Sequence, residues 1–379
     1  HGSFGEDGEL QDLLERYQIP FVGHSSACCK WMFRKHQAAE TLRNHGFSTL
    51  PQVVLSKHMK NRQSIIDHFF KEHALKRAVV KPTVGGSSIG VFSVRTSEEA
   101  QIRVDEIFAR ELDCNALLEP FCSGTEFTIV VFENQEGKPV ALMPTEVEMS
   151  YESNEIFDYR KKYLPTNQAA YHTPPRFSQS IVHHIRMQAE QIFTLFNMRD
   201  FVRLDGWVMH DGTLYFTDIN PISGLEQNSF LFRQASLVGL THRQALEYIL
   251  KRACQRYGLN FPLEKDKEKK AHKKPVYVLF GSHNAERQVS LMSGTNVWLK
   301  LLQSKQLAPT PYFFDHEEGI WELPYSFTLN HTVEEIYSNC IATSEERESW
   351  QKVIDVIQAR LGIAASLAPQ PNKMKLNNL

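Results

Sequence analysis

Between Phe201 and Asn220 the chain forms two strongly apolar stretches around a tight turn and places charge at alternate positions on both. Phe201-Val202-Arg203-Leu204-Asp205-Gly206-Trp207-Val208-Met209 and Thr213-Leu214-Tyr215-Phe216-Thr217-Asp218-Ile219-Asn220 flank His210-Asp211-Gly212, which is a hairpin signal. Successive strand side chains point to opposite faces, so Arg203 and Asp205 share one face, and so do Asp218 and Asn220. The apolar flanking positions predict a mostly buried hairpin, and buried charges need partners or a task. Charged strand faces are ordinarily solvated surfaces with a salt bridge. Two carboxylates and an amide oxygen also suit a hard cation such as Mg²⁺, whose partners are oxygen ligands and nucleotide phosphates.

A second feature lies upstream. Arg77-Ala78-Val79-Val80-Lys81-Pro82 reads as a buried strand that ends on a lysine and opens into Val84-Gly85-Gly86-Ser87-Ser88-Ile89-Gly90-Val91. Small residues let backbone N–H groups approach phosphate oxygens, and the lysine adds the charge a polyphosphate needs. Gly-Ser-Ser is also an ordinary turn composition, and the order is not that of the Walker loop, where the lysine follows the glycines.

Residues Cys29 to His45 read as one helix ended by Gly46, followed by the extended Thr49 to Leu55. Ser97 to Arg110 is a helix, Ala116 to Glu119 and Glu126 to Phe132 are strands, and Ser178 to Phe196 carries a core-facing stripe at helical spacing. Thr241 with Gln244 is a capping box for a helix that Gly258 ends. The lysine-rich run from Glu264 to Lys274 reads as a linker. Beyond it, strand Val276 to Phe280, helix Val289 to Leu302 and strand Thr310 to Phe314 form a β-α-β pattern, and the tail after Leu361 reads as frayed.

Composition narrows the class. A chain of 379 residues with 42% hydrophobic and 23% charged residues has room for two or three domains with sizeable cores. A net charge of -2 gives no electrostatic case for nucleic acid or an anionic membrane, and no apolar run reaches membrane-spanning length. The six cysteines show no Cys-x-x-Cys and no metal spacing, so they read as reduced core residues of a cytoplasmic protein.

With these motifs in hand, the sequence resembles the D-alanine:D-alanine ligases of the ATP-grasp superfamily from His1 to about Tyr257. The matching residues, in the family's order, are His1-Gly2 with Gly5-Glu6-Asp7-Gly8, Ile19-Pro20-Phe21-Val22-Gly23, Lys35, the Gly/Ser loop, Glu119 and Gly124-Thr125-Glu126. They continue with Phe157-Asp158-Tyr159, Lys162-Tyr163, Arg203-Leu204-Asp205, and Asp218-Ile219-Asn220 through Ser229. Lys274-Pro275-Val276-Tyr277-Val278-Leu279-Phe280-Gly281-Ser282 with Ala285-Glu286-Arg287 and Ser293-Gly294 resembles the start of the same family's amino-terminal domain.

The resemblance implies an α/β architecture, an α+β ATP-grasp module followed by a partial Rossmann-like domain. Residues 1–30 are the remnant of an amino-terminal domain, 31–258 the catalytic module, 259–274 a charged linker and 275–379 the start of a second ligase unit, as in a fragment of a tandem or fusion protein. The two units are expected to act independently; the rival arrangement is a trailing domain that folds back to complete the site, as in a circular permutation.

The implied activity uses ATP to turn a D-alanine carboxylate into an acyl phosphate that the amine of a second D-alanine attacks, for peptidoglycan precursor synthesis. Lys35 and Lys81 are then phosphate contacts, with the Gly86-Ser87-Ser88 loop closing over them. Glu119, Phe121 and Cys122 hold adenine, and Glu126 the ribose. Asp205, Asp218 and Asn220 hold Mg²⁺ or Mn²⁺. Arg203 stabilises the tetrahedral oxyanion, which suits an always charged fork. Lys162, Tyr163, Gly224 and Ser229 line the amino-acid sites, Ser87 meets Tyr163 on closure, and Glu286 is the only candidate for the glutamate that holds the first ammonium group. Partners are then small molecules, with a homodimer as in other members of the family.

The chain departs from the family at Asp218, where a glutamate is usual, at Pro221-Ile222-Ser223-Gly224, at Pro120 and at Gly85. The altered loop after Asn220 leaves open a ligase for another amino or hydroxy acid, and a catalytically silent ATP-binding module is the remaining alternative.

Overall fold

The computed structural model of the protein describes residues 2–86, 88–149, 169–262, 273–317 and 319–374. Three sheets organise them. The first joins β1 (Val53–Ser56), β2 (Ala78–Pro82), β3 (Phe92–Val94) and β4 (Asn115–Pro120) in the antiparallel order β1-β4-β2-β3. Helices Arg62–Glu72 and Ser97–Ala109 pack on it through fully buried Leu55, Ile66, Val80, Val104, Ile107 and Leu118. The second helix begins where Thr96 accepts the Glu99 amide, a side-chain cap that satisfies one of the first turn's free N–H groups.

The second sheet holds β5 (Thr125–Glu133), β6 (Pro139–Ala141), β7 (Thr145–Met149), β8 (Ala169–His172), β9 (Phe201–Val208) and β10 (Leu214–Asn220), in the order β10-β9-β5-β7-β8 with β6 on β5. Strand β5 is covered on both faces. Phe127, Ile129 and Val131 meet Ile185, Ile192 and Phe193 of the helix Gln179–Leu195, while Val130 and Phe132 face the helices Phe230–Leu237 and His242–Arg256. Gly206 on β9 leaves room for a ring: a Cβ there would lie 2.6 Å from Phe127 and 2.4 Å from the Tyr215 carbonyl.

The third sheet is β11 (Lys274–Gly281), β12 (Leu307–Phe314), β13 (Ile320–Glu322) and β14 (Asn372–Met374), in that order. Strands β11 and β12 run parallel, joined by the helix Arg287–Leu301, as the β-α-β reading expects. Two further helices come after β13, Val333–Cys340 and Ser344–Leu361, the latter opened by a capping box of Thr343 and Glu346.

Three local expectations are corrected. The helix expected from Cys29 to His45 is two helices, Ser26–Phe33 and Lys35–Asn44, because Arg34 is extended (φ -90, ψ 94) and the Lys35 amide donates to the Thr83 carbonyl. The tail after Leu361 is ordered through Met374 rather than frayed: Ala368 is buried, its amide donates to Gln351, and β14 pairs with β13. Of the cysteines, Cys114 is exposed and Cys254 half-buried; the other four are buried, and all six are free thiols.

Most of the expected linker, residues 263–272, lies outside the described residues. The chain segments on its two sides share a core. Val130, Phe132, Leu231, Phe232 and Tyr248 of the module form one cluster with Phe280, Trp298, Phe327, Ile354, Ile357 and Leu361. Polar contacts cross the same boundary: Tyr248 donates to the Leu361 carbonyl at 3.0 Å, Gln358 to the Val238 carbonyl at 3.1 Å and Arg360 pairs with Glu190 at 2.6 Å. Truncating a fully buried core aliphatic costs about 2–5 kcal/mol. Ile357→Ala is therefore expected to lower the denaturation midpoint of the module and the trailing domain together, read as coincident urea transitions for probes on Trp207 and Trp321. Separate transitions would show that the two halves do not share this core.

Candidate active site

The site grows from the β9/β10 hairpin. The strands pair with Asn220 opposite Arg203 and Asp218 opposite Asp205, and a register shift between Phe216 and Asp218 absorbs one residue. Leu204 and Ile219 turn into the core, which leaves Arg203, Asp205, Asp218 and Asn220 on the half-buried face. The Asp205 carboxylate is held on both oxygens. Oδ1 accepts from Thr128 at 2.6 Å and from Arg203 Nε at 3.1 Å; Oδ2 accepts from Arg203 Nη2 at 3.0 Å and Asn220 Nδ2 at 2.9 Å. Such a bidentate Arg–carboxylate fork fixes the guanidinium in orientation as well as in place.

A second charged pair faces the first. Lys35 Nζ meets Asp218 Oδ1 at 2.5 Å, and the Lys35 backbone amide is bonded to Thr83 just beyond β2. One residue thus joins the root of the Gly/Ser loop to the hairpin. Lys81, at the end of β2, pairs with Glu119 of β4 at 2.5 Å, with both side chains nearly buried. Burial alone would lower the Lys81 ammonium, but Glu119 outweighs it, with Asp218 adding, and holds it above its usual range, so Lys81 carries its charge.

The loop itself is anchored at its base. Asp113 accepts from the Thr83 amide, the Thr83 hydroxyl and the Val84 amide at 2.8, 2.6 and 3.2 Å. Gly85 has φ +96 and Ser88 φ +58, left-handed conformations that a glycine adopts without strain and a serine with some, and no heavy atom lies within 4 Å of where Cβ atoms on Gly85 or Gly86 would sit. Ser87, Lys162 and Tyr163 lie outside the described residues.

Glu119 is buried and receives a further bond from Gln52 at 3.1 Å. Phe121 stacks on the Arg77 guanidinium at 3.7 Å, and its amide donates to the Arg77 carbonyl. Burial pushes the Cys122 thiol up to about 12, so its side chain is chemically inert here. Glu126 sits near the start of β5, opposite Trp207 of β9. Ser229 caps the helix Phe230–Leu237 by its backbone, while its buried hydroxyl and that of Ser223 have no partner among the described residues. Gly224 fits against Glu226, whose carboxylate lies 2.3 Å from where a Cβ would be. Glu286 stands, exposed, at the start of the helix Arg287–Leu301 in the trailing domain.

Among the described residues no three His, Cys, Asp or Glu side chains gather as a metal site. The donors on the hairpin are two carboxylates and an amide, a hard-oxygen set on directly opposed strand positions whose chemistry fits Mg²⁺. No helix among them is long and apolar enough to cross a membrane.

Thr128, Gln52 and Asp113 are the contributors that sequence reading missed. Each acts by orienting another side chain or a loop, and neither spacing nor composition marks such a role.

The fold and this arrangement define an α/β ligase of the ATP-grasp class, and comparison with known proteins agrees. A family model described as "D-ala D-ala ligase C-terminus" matches residues 41–251. The D-alanine–D-alanine ligase of Pseudoalteromonas translucida is 29% identical over 251 residues, 66% of this chain and 76% of that protein. That of Leptospira biflexa is 28% identical over 254 residues, 66% and 70% of the two chains. Among solved structures, the D-alanine–D-alanine ligase from Coxiella burnetii aligns with a TM-score of 0.58 at 24% identity over 68% of both chains. VanG D-Ala:D-Ser ligase from Enterococcus faecalis aligns at 0.58 and 24% identity, over 67% of this chain and 71% of that one. With its family model covering more than half its length, the chain belongs to the D-alanine–D-alanine ligase family.

The hairpin is also supported from behind. His24, from the first segment, is buried and accepts from the Arg199 amide at 3.0 Å. Burial, with Arg199 and Arg256 adding, pushes it from its ordinary 6.5 to about 4. The folded state therefore binds this proton less well than the unfolded chain, so stability is full above 6.5 and falls as pH drops towards 4, by up to about 3 kcal/mol. His24→Gln is expected to flatten that part of a stability-versus-pH curve from urea titrations; an unchanged slope would remove His24 as its source.

Proposed function

We propose that this chain is an ATP-dependent ligase that joins two D-alanines for peptidoglycan precursor synthesis in the cytoplasm. The observation that carries this reading is the meeting of a charged hairpin and a lysine-ended strand through Lys35, in a chain of this family. Residues 31–258 serve as the catalytic module. A D-alanine carboxylate oxygen attacks the terminal phosphorus of ATP and ADP leaves. The amine of a second D-alanine then attacks the acyl carbon, phosphate leaves and the nitrogen gives up a proton.

Lys35 and Lys81 stand ready for the phosphates, each now resting on a carboxylate. The loop through Gly86, Ser87 and Ser88, rooted on Asp113, covers them. Glu119 and the backbone at Phe121 and Cys122 take the adenine and Glu126 the ribose. Asp205, Asp218 and Asn220 are the residues that would hold Mg²⁺, and a bound ion would neutralise the transferring phosphoryl group. Arg203, aimed by Asp205, faces the oxyanion of the tetrahedral intermediate. Gly224 and Ser229 line the amino-acid end together with Lys162 and Tyr163, and Glu286 is assigned to the first ammonium group.

A second reading concerns the acceptor. The buried hydroxyls of Ser223 and Ser229, unpartnered among the described residues, favour a second substrate whose side chain adds a hydroxyl, D-serine, over D-alanine. Phosphate release measured with ATP, Mg²⁺ and each acid decides between these. Release stimulated by none of them would leave a silent nucleotide-binding module.

The division of roles makes a forecast for binding. Lys81→Ala is expected to weaken a non-hydrolysable ATP analogue by about tenfold or more in calorimetry, since it removes a charge-assisted contact, whereas Arg203→Ala leaves binding within about threefold. Equal losses would contradict the assignment. Asp218→Asn is expected to raise the Mg²⁺ concentration needed for half-maximal turnover, because an amide is the weaker ligand. An unchanged requirement would reduce Asp218 to a salt-bridge partner of Lys35.

A further inference from the structure

A buried ion pair lies where the trailing domain meets the module. Arg233, in the helix Phe230–Leu237, is 1% exposed, and so is its partner Glu335 in the helix Val333–Cys340. Arg233 Nη2 contacts Glu335 Oε2 at 3.3 Å, Asn330 Oδ1 at 3.0 Å and the Tyr171 carbonyl of β8 at 3.1 Å, and Nη1 meets His331 Nδ1 at 2.5 Å. Glu335 uses its other oxygen on the module, accepting the Tyr171 amide at 2.9 Å, and Oε2 also takes the His331 amide at 2.8 Å. The His331 ring packs on Tyr171 at 5.0 Å, and Tyr171 on Phe230 at 5.2 Å.

These contacts end on the amino-acid side of the site. The Arg233 amide is bonded to the Ser229 carbonyl at 3.0 Å, so Arg233 stands one helical turn from Ser229, whose hydroxyl has no partner among the described residues. Tyr171 stands in one row of the second sheet with Val147 and Glu126. The nucleotide residues Lys81 and Glu119 belong to a different sheet.

We infer that Arg233 and Glu335 are positioning residues: the trailing domain is a wall of the module's own amino-acid site, holding Ser229 and β8 in place through this buried pair. The expectation that the two units act independently gives way accordingly. The inference rests on the ligase reading, and it concerns only the substrate end.

The test uses the full chain with Glu335→Gln, which keeps the shape and removes the charge. The KM for D-alanine is expected to rise by about tenfold or more, the loss of a charge-assisted bond, with kcat and the affinity for a non-hydrolysable ATP analogue within about threefold. Replacing both partners by apolar residues, Arg233→Met with Glu335→Leu, is expected to recover the melting temperature but not the KM, because the Tyr171 amide then has no acceptor at all. If the double variant restores KM together with melting temperature, or if D-alanine and nucleotide binding fall in parallel, the pair is structural only and the inference is overturned. Hydrogen exchange gives a readout that needs no substrate. Faster exchange at 169–172 and 230–237 in Glu335→Gln, with 78–82 unchanged, upholds the positioning role even where wild type turns over no D-alanine, a result that would sink the ligase reading alone. Unchanged exchange in those segments overturns the inference.

Discussion

Lys35 carries the constraint on which the site depends. Its backbone amide fastens to Thr83 at the root of the glycine loop, and its ammonium reaches Asp218 on the hairpin. Two sheets with separate cores are thereby held in register at one residue. The extended Arg34 that breaks the neighbouring helices is the local consequence: a continuous helix would keep the Lys35 amide for itself and leave the loop root unattached. Charge neutralisation is organised around the same point. Asp205 rests on Arg203, Asp218 on Lys35 and Glu119 on Lys81, so no carboxylate of the group is left bare in a half-buried setting where an unpaired charge is costly.

The hairpin and its four polar side chains were legible in the sequence because both rest on local rules, turn chemistry and the two-residue strand period. The register shift beside Thr217 was not, although it sets Asp218 directly against Asp205, since a bulge leaves no compositional mark. The lysine-ended strand and the capping box at Thr241 were equally local and equally readable. Asp113, Gln52 and Thr128 were hidden because they act on residues 30, 67 and 77 positions away, and single-sequence reasoning has no hold on such separations.

The same limit explains the tail and the trailing domain. Residues beyond Leu361 look like a frayed end when only their proline and lysine content is considered. In three dimensions Gln351 and Gln358 take up their backbone and side-chain groups, and Lys373 lies over the Trp321 ring. The lysine-rich run before β11 suggests a flexible tether between separate bodies. The apolar faces on either side of it are complementary, and Phe132, Tyr248 and Ile357 end up in one cluster. Composition describes the connector and says nothing about whether the connected surfaces fit.

Burying Arg233 against Glu335 also has a temporal side. The two residues are 102 positions apart, and a ribosome adding about 5–20 residues per second needs roughly 5–20 s to make that stretch. Throughout that interval the nascent module presents an apolar face with an unmatched guanidinium in its middle. The module's core is therefore completed only once the trailing domain has been made, so synthesis of the last helices and closure of the core are one event.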